Sequence, residues 1–258
     1  MENQTAGGNR IVAVTLGLVL TLVQASAAQA AEIKVLCSTA LRTVMQELVP
    51  QFERATGNKV VIEYGVSAAM QRRVEAGEPF DAIFLTVKQL DALVQEGKIA
   101  PGTRTPIARS GMAIAIHAGA ARPDIKTMDA LKRTLLAAKS IAFAKEGASG
   151  LYFMALAKRL GIVEQLKLKP MDTGDEVGEA VAGGAAELGM LPVSEILPVK
   201  GVELLGEFPK EVQEYAISVG GVSVASKQGT AAKELLKFAT APAAVPVIRK
   251  KGMEPERE

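Results

Sequence analysis

The sequence predicts an α/β protein of two lobes, each a mostly parallel sheet flanked by helices, joined by two crossing strands. The first observation is that the spacing of apolar residues switches repeatedly between the period of a strand and that of a helix face. The second is that glycines follow several of the helical segments, where helix ends favour them. The third is length, because the chain after residue 30 suits two small domains better than one large one.

The first series of elements has the order βαβαβα. Its first helix shows the apolar face most clearly, since Val44, Leu48 and Phe52 recur every fourth residue before Gly57 ends the pattern. The predicted elements are strand 33–36, helix 41–56, strand 60–62, helix 67–75, strand 82–85 and helix 87–95. Such alternation predicts parallel strands that meet their ligands at their carboxyl ends.

A second series of the same kind fills the rest of the chain. Its predicted elements are strand 112–116, helix 128–137, strand 140–143, helix 150–160, strand 168–171, helix 176–182, strand 188–191, strand 215–225, helix 231–239 and helix 243–250. We expect residues 31–111 and 217–258 to form the first lobe and residues 112–216 the second. The chain then crosses between the lobes near residues 110–112 and 215–218.

Residues 1–30 have the composition of a secretory signal peptide. A polar start with Arg10 precedes the apolar run 11–23, and Ala28-Gln29-Ala30 forms an A-x-A cleavage pattern. A membrane anchor is the alternative, but it needs about 20 apolar residues. We therefore expect cleavage near Ala31 and export of a soluble protein.

Composition excludes several functional classes. The chain has 30 basic and 28 acidic residues, a net charge of +2, which is too balanced for a nucleic-acid-binding surface. Cys37 and His117 are the single cysteine and histidine, so neither an intrachain disulfide nor a Cys/His metal centre is expected. We predict neither a metal nor a cofactor.

Four turns between a predicted strand and the next helix carry small, hydroxyl or glycine residues. They are 37–40, with Ser38, Thr39 and Ala40; 65–68, with Ser67 and Ala68; 147–150, with Ser149 and Gly150; and 173–177, which ends at Val177. A helix start offers unpaired N–H groups and the positive end of its dipole, so several starts around one cleft can bind an anion. The alternative is ordinary helix capping, which favours the same residue types.

Two basic side chains are candidates for pairing with a ligand carboxylate. Arg109 lies beside the first predicted crossing, and Lys145 directly follows strand 140–143. The planar guanidinium of arginine suits a carboxylate well, although both residues have solvated surface charge as the alternative role. Tyr152 either points its hydroxyl at the cleft or covers the core.

No pattern for covalent catalysis is present. The G-x-S-x-G and GxxxxGK[ST] motifs are missing, and no local signature supports a dyad of Cys37 and His117. The sequence therefore predicts a protein that is not an enzyme.

Several segments resemble the periplasmic molybdate-binding proteins, which are solute-binding proteins of ABC importers. They are 34–41, 52–60, 74–81 with its E-A-G-x-P-x-D pattern, 107–110, 150–152 and 187–189, and they extend over nearly all of the chain after residue 30. The resemblance implies a type II periplasmic binding fold and a small anionic ligand. It also implies an ABC permease as partner and a periplasmic location; we expect a monomer.

The pocket positions implied by this resemblance differ from those of molybdate binders. Ala40 stands where the family has a serine, and Pro192 where it has a tyrosine, whereas Ser67 is kept. The contacts in the second lobe are implied at Ser149 and Val177. Because these replacements remove hydrogen-bond donors that the oxygens of a tetrahedral oxyanion need, we expect an organic carboxylate rather than molybdate or tungstate. A molybdate-binding or tungstate-binding protein proper, and a periplasmic sensor of the same fold, are the alternatives.

Overall fold

A computed structural model describes residues 30–256, so the predicted signal peptide lies outside the described residues. The strands are β1 (Glu32–Ser38), β2 (Lys59–Gly65), β3 (Ala82–Thr86), β4 (Thr105–His117), β5 (Ile141–Ala144), β6 (Leu168–Met171), β7 (Leu188–Pro192), β8 (Val202–Glu207), β9 (Tyr215–Val222) and β10 (Glu254–Pro255). The α-helices are α1 (Arg42–Thr56), α2 (Ser67–Glu75), α3 (Val87–Gln95), α4 (Met128–Ala137), α5 (Ala148–Arg159), α6 (Gly174–Ala182), α7 (Val193–Ile196), α8 (Gly229–Thr240) and α9 (Val245–Lys250).

The predicted elements recur in the structure with small shifts at their ends. Helices α2, α3 and α4 and strand β6 begin and end at the predicted residues. Helix α1 stops at Gly57, whose φ of 77° is left-handed, as helix ends favour for glycine. The main difference is β4, which begins at Thr105 instead of residue 112. Its first half contains Pro106, and its pairing with β9 shifts register between Pro106 and Ala108, so no clean alternation marks it as a strand.

The strands form one curled, mixed sheet in the order β2-β1-β3-β9-β4-β7-β5-β6, with β8 and β10 also paired to β4. The predicted parallel pairing holds for β1 with β2 and β3, and for β5 with β6 and β7. Every pairing of β4 and β9 is antiparallel, because these strands carry the chain through the middle of the sheet in opposite directions. The predicted crossing segments lie within β4 and β9, and the lobe boundaries stay a prediction.

The helices cover both faces of the sheet on each side of β4 and β9. On one side, α1 and α8 pack Phe52 and Phe238 edge to face at 5.6 Å, and α2 and α3 bury Met70 and Leu90 on the opposite face. On the other side, α5 buries Phe153 and α6 buries its apolar face on the opposite face of the sheet. Within residues 30–256, no helix combines the length and apolar character needed to cross a membrane.

Candidate functional site

A cavity of about 260 Å³ lies between the two sides of the molecule. The turns after β1, β2 and β3 line it from one side, and the turn after β5, the start of α6 and the end of β7 line it from the other. The first residues of β9 complete the wall. The carboxyl ends of strands from both sides of the sheet therefore surround a common space.

Three helices begin at this cavity without a side-chain cap. Within the described chain, the residues that precede α2, α3 and α5, which are Val66, Thr86 and Gly147, make no side-chain hydrogen bond to a backbone N–H of the first turn. In contrast, Thr127 and Thr173 cap α4 and α6. The first N–H groups of a helix have no carbonyl partner within it, so those of α2, α3 and α5 are available to an anion.

Five of the predicted site residues line the cavity, namely Ser38, Thr39, Ala40, Ser67 and Ser149. Two of their hydroxyls are already engaged by the protein. The Ser67 hydroxyl accepts a hydrogen bond from the N–H of Thr86 at 3.1 Å, and the Ser149 hydroxyl donates to the carbonyl of Met190 at 3.2 Å. These two serines therefore hold neighbouring segments in place, and the O–H of Ser67 is still able to donate.

The other predicted site residues do not line the cavity, and three of them have other roles. The hydroxyl of Tyr152 donates to the carbonyl of Val212. Arg109 places its guanidinium over the ring of Tyr215, 4.8 Å from the ring centroid. The same guanidinium lies 3.7 Å from the carboxylate of Glu256, because β10 pairs with β4 at this position. The N–H of Val177 already donates to the carbonyl of Thr173 at 3.3 Å, so this atom does not serve as an anion donor.

Ala68 and Gly150 lie one residue beyond the cavity wall, in the first turns of α2 and α5. The remaining basic candidate, Lys145, pairs with Asp172 at 2.5 Å away from the lining residues. Cys37 is fully buried in β1, where burial raises the pKa of its thiol, and His117 is exposed at the end of β4. The structure therefore offers no dyad of these two residues.

Sequence reasoning missed Lys88, a basic side chain of the cavity wall. It is the second residue of α3, exposed toward the cavity, and within residues 30–256 it forms no ion pair. A cation in the first turn opposes the helix dipole and destabilises the helix by about 0.3–1 kcal/mol. An uncompensated cost of this kind at a cavity is typical of a functional position. The sequence contains a signal for it, because Lys88 follows β3 at a strand-to-helix turn of the same kind as the four turns described above.

Glu195 was also missed, and it is the second unexpected member of the site. It lies on the short helix α7, lines the cavity and accepts a hydrogen bond from the Thr39 hydroxyl, with 3.2 Å between oxygens. Burial has the largest effect, and it raises the pKa of Glu195 to about 7. The hydrogen bond from Thr39 and the charge of Arg42 lower this pKa, whereas the charge of Asp175 raises it. No periodic pattern marks α7, so sequence reasoning had no signal for this carboxyl group.

Three contacts join the two sides of the cavity. Arg42 of α1 donates to both oxygens of Asp175 on α6, at 2.9 and 2.7 Å, and Arg72 of α2 reaches Glu146 at 2.7 Å. The third is the hydrogen bond from Thr39 to Glu195. Exposed ion pairs contribute about 0–1 kcal/mol each, so these contacts hold the two sides of the cavity together only modestly.

The raised pKa of Glu195 predicts a pH-dependent effect of Glu195→Gln on stability. Below the ordinary glutamate pKa of 4.5, the side chain is protonated in both the folded and the unfolded chain. As the pH rises through about 7, the free energy of unfolding falls, because the folded chain binds this proton more tightly than the unfolded chain does. Glutamine removes that cost. We expect the free energy of unfolding to rise by up to about 3 kcal/mol at pH 8 and to change little at pH 4.5.

Urea unfolding at the two pH values measures this effect, with Glu211→Gln, an exposed carboxyl group away from the cavity, as the matched control. A stabilisation by Glu195→Gln of equal size at both pH values would contradict the assignment.

Comparison with known proteins identifies the family. Residues 33–254 match the family described as bacterial extracellular solute-binding protein. The chain belongs to this family. Its relatives include an aconitate isomerase of a Pseudomonas species, 32% identical over 228 residues, with 86% of this chain and 87% of that protein covered. The molybdate-binding protein ModA of Azotobacter vinelandii is 28% identical over 253 residues, covering 94% and 95%.

Solved structures place this solute-binding protein in the type II periplasmic binding fold. The periplasmic molybdate-binding protein of Azotobacter vinelandii superposes with a TM-score of 0.75 at 20% identity, covering 87% of this chain and 100% of that one. The predicted fold class and the resemblance to molybdate-binding proteins are therefore confirmed. Among residues 30–256, no group of three or more His, Cys, Asp or Glu side chains is arranged to hold a metal ion.

Proposed function

We propose that this protein captures a small organic anion with at least one carboxylate group and delivers it to an ABC permease from the periplasm, as a monomer. The observation that carries the proposal is a cavity that combines three uncapped helix starts with the unpaired cation of Lys88. N–H groups and a lysine together stabilise a carboxylate by charge-assisted hydrogen bonds.

The cavity wall favours a ligand with a carbon skeleton over a tetrahedral oxyanion. Apolar side chains line it between the donor groups, among them Ala40, Val66, Leu151, Pro192 and Ile217. An oxyanion needs donors on every side, and an oxygen facing such a surface loses its hydrogen bonds to water without replacement. A carbon skeleton instead gains from burial against these side chains.

The relatives support the same choice. The aconitate isomerase, whose name indicates a tricarboxylic acid, is 32% identical to this chain over 228 residues, and ModA of Azotobacter vinelandii is 28% identical over 253 residues. The Ser149 hydroxyl also donates to the carbonyl of Met190, which leaves one donor fewer for a molybdate ion. Aconitate and related di- and tricarboxylates are therefore the first ligands to test.

A thermal-shift screen of the purified chain tests the proposed ligand class. A carboxylate at about a hundred times its Kd adds about 2.7 kcal/mol, which corresponds to a rise in Tm of roughly 5–10 °C for a chain of this size. We expect such a rise with di- or tricarboxylates at low millimolar concentration, and none with molybdate, tungstate or sulfate. A rise with molybdate or tungstate alone would overturn the choice of carboxylate.

A further inference from the structure

We propose that this site also moves a proton: the carboxylate of Glu195 takes a proton from a carbon of a bound unsaturated carboxylic acid and returns it at the other end of the allylic unit. The outcome is a shift of the C=C bond, and thus an isomerisation in addition to capture. This activity rests on the carboxylate ligand proposed above and uses the same cavity.

The surroundings of Glu195 leave it free to act as a base. Thr39 donates to one carboxyl oxygen, Oε1, and Oε2 lies beside Gly174, where a Cβ would come within 2.1 Å of it. Gly174 therefore makes the space that this carboxyl group occupies. Arg42 gives its hydrogen bonds to Asp175, so within the described residues no cation is paired with Glu195. Its oxygens keep lone pairs that can accept a proton.

The charges around Glu195 favour an acid-base role at neutral pH. Burial raises the pKa of Glu195 to about 7, with smaller effects from Thr39, Asp175 and Arg42. Lys88 and Glu146 are the other charged groups of the wall, and Glu146 is ion-paired with Arg72. A group whose pKa lies near the working pH serves well both as the base of the first half-reaction and as the acid of the second.

The proton transfer balances without a co-reactant. Glu195 removes a proton from a CH₂ group that lies between a carboxylate and a C=C bond, and the C–H electron pair becomes a new C=C bond. The former double bond gives its electron pair to the conjugated carboxylate as a dienolate. That pair then forms a new C–H bond at the far carbon, which takes the proton back from Glu195. For aconitate, this step interconverts the cis and trans isomers.

The dienolate carries extra negative charge on its carboxylate oxygens, and the cavity is arranged to hold it. Lys88 and the free N–H groups at the starts of α2 and α5 provide fixed positive charge and donors on the wall. Donors that are already in place stabilise charge as it develops, without reorganisation. Capture and proton transfer therefore use the same anion-binding groups, and Glu195 is the group that only proton transfer needs.

Proton NMR of cis-aconitate incubated with the purified chain in D₂O at neutral pH tests this activity. We expect conversion to the trans isomer or loss of the CH₂ proton signal by exchange with deuterium. Glu195→Gln is expected to slow both by more than a hundredfold, whereas Glu195→Asp keeps part of the rate. Glu211→Gln, which changes an exposed carboxyl group away from the cavity, is the matched control and is expected to stay within a few fold of the natural protein.

Calorimetric binding of cis-aconitate to the same variants separates the two proposals. If the natural chain binds the probe but neither isomerises nor exchanges it, proton transfer is overturned and capture stands. If it binds neither aconitate nor the other carboxylates of the screen, the proposed function fails as well. An equal rate in Glu195→Gln would also overturn the role of Glu195. Binding retained in Glu195→Gln together with a lost rate supports it.

Discussion

Replacing Lys88 by methionine is expected to lower the affinity for a carboxylate ligand about tenfold to a hundredfold. A hydrogen bond to a charged group contributes roughly 1.5–3 kcal/mol, and every 1.4 kcal/mol is a factor of ten in Kd. Methionine keeps much of the length and the apolar stem of lysine and removes only the ammonium group. Isothermal titration calorimetry with the carboxylate that gives the largest thermal shift measures the change.

The same replacement is expected to leave the unliganded protein as stable as before or slightly more so. Lys88 lies in the first turn of α3, where a positive charge opposes the helix dipole by about 0.3–1 kcal/mol. Lys158→Met, at an exposed position in the last turn of α5, is the matched control and should not change the affinity. Unchanged affinity in Lys88→Met would show that Lys88 is a solvated surface charge that does not contact the ligand.

The fold could be predicted from the sequence wherever a local pattern was complete. Helix α1 shows this, because an apolar face recurring every fourth residue and a closing glycine both report the same local structure. Strand β8 was missed since it is only partly buried and contains Gly206, so it lacks a clean alternation. The antiparallel pairing of β4 and β9 depends on the path of the whole chain, which no local pattern reports.

The candidate site was predicted at the level of the backbone. Its turns lie at the carboxyl ends of strands, so the order of elements was enough to place Ser38, Ser67 and Ser149 at one cavity. Side-chain roles depend on packing between distant segments. The sequence did not show that Arg109 would stack on Tyr215, or that Glu195 would meet a threonine 156 residues away.

Replacing Gly150 by alanine is expected to destabilise the protein by about 3 kcal/mol, the upper part of the range for overpacking a core. A Cβ at this position would come within 2.0 Å of the carbonyl oxygen of Ala144, and within 3.1 Å of the ring of Phe143. Ala144 ends β5, and its carbonyl belongs to the backbone, so it does not move aside as a flexible side chain does. Helix α5 must therefore shift outward from β5.

We expect that shift to act on binding as well, because the uncapped start of α5 is one of the three helix ends proposed to bind the anion. At about 2–4 °C per kcal/mol, we expect Tm to fall by roughly 6–12 °C, and carboxylate affinity to fall with it. Differential scanning calorimetry measures the fall in Tm.

The matched control is Gly229→Ala at the start of α8, where a Cβ meets nothing within 4 Å. That variant should be neutral or slightly stabilising, since alanine reduces the freedom of the unfolded chain. Equal stability of the two variants would show that the close approach of α5 to β5 is not required.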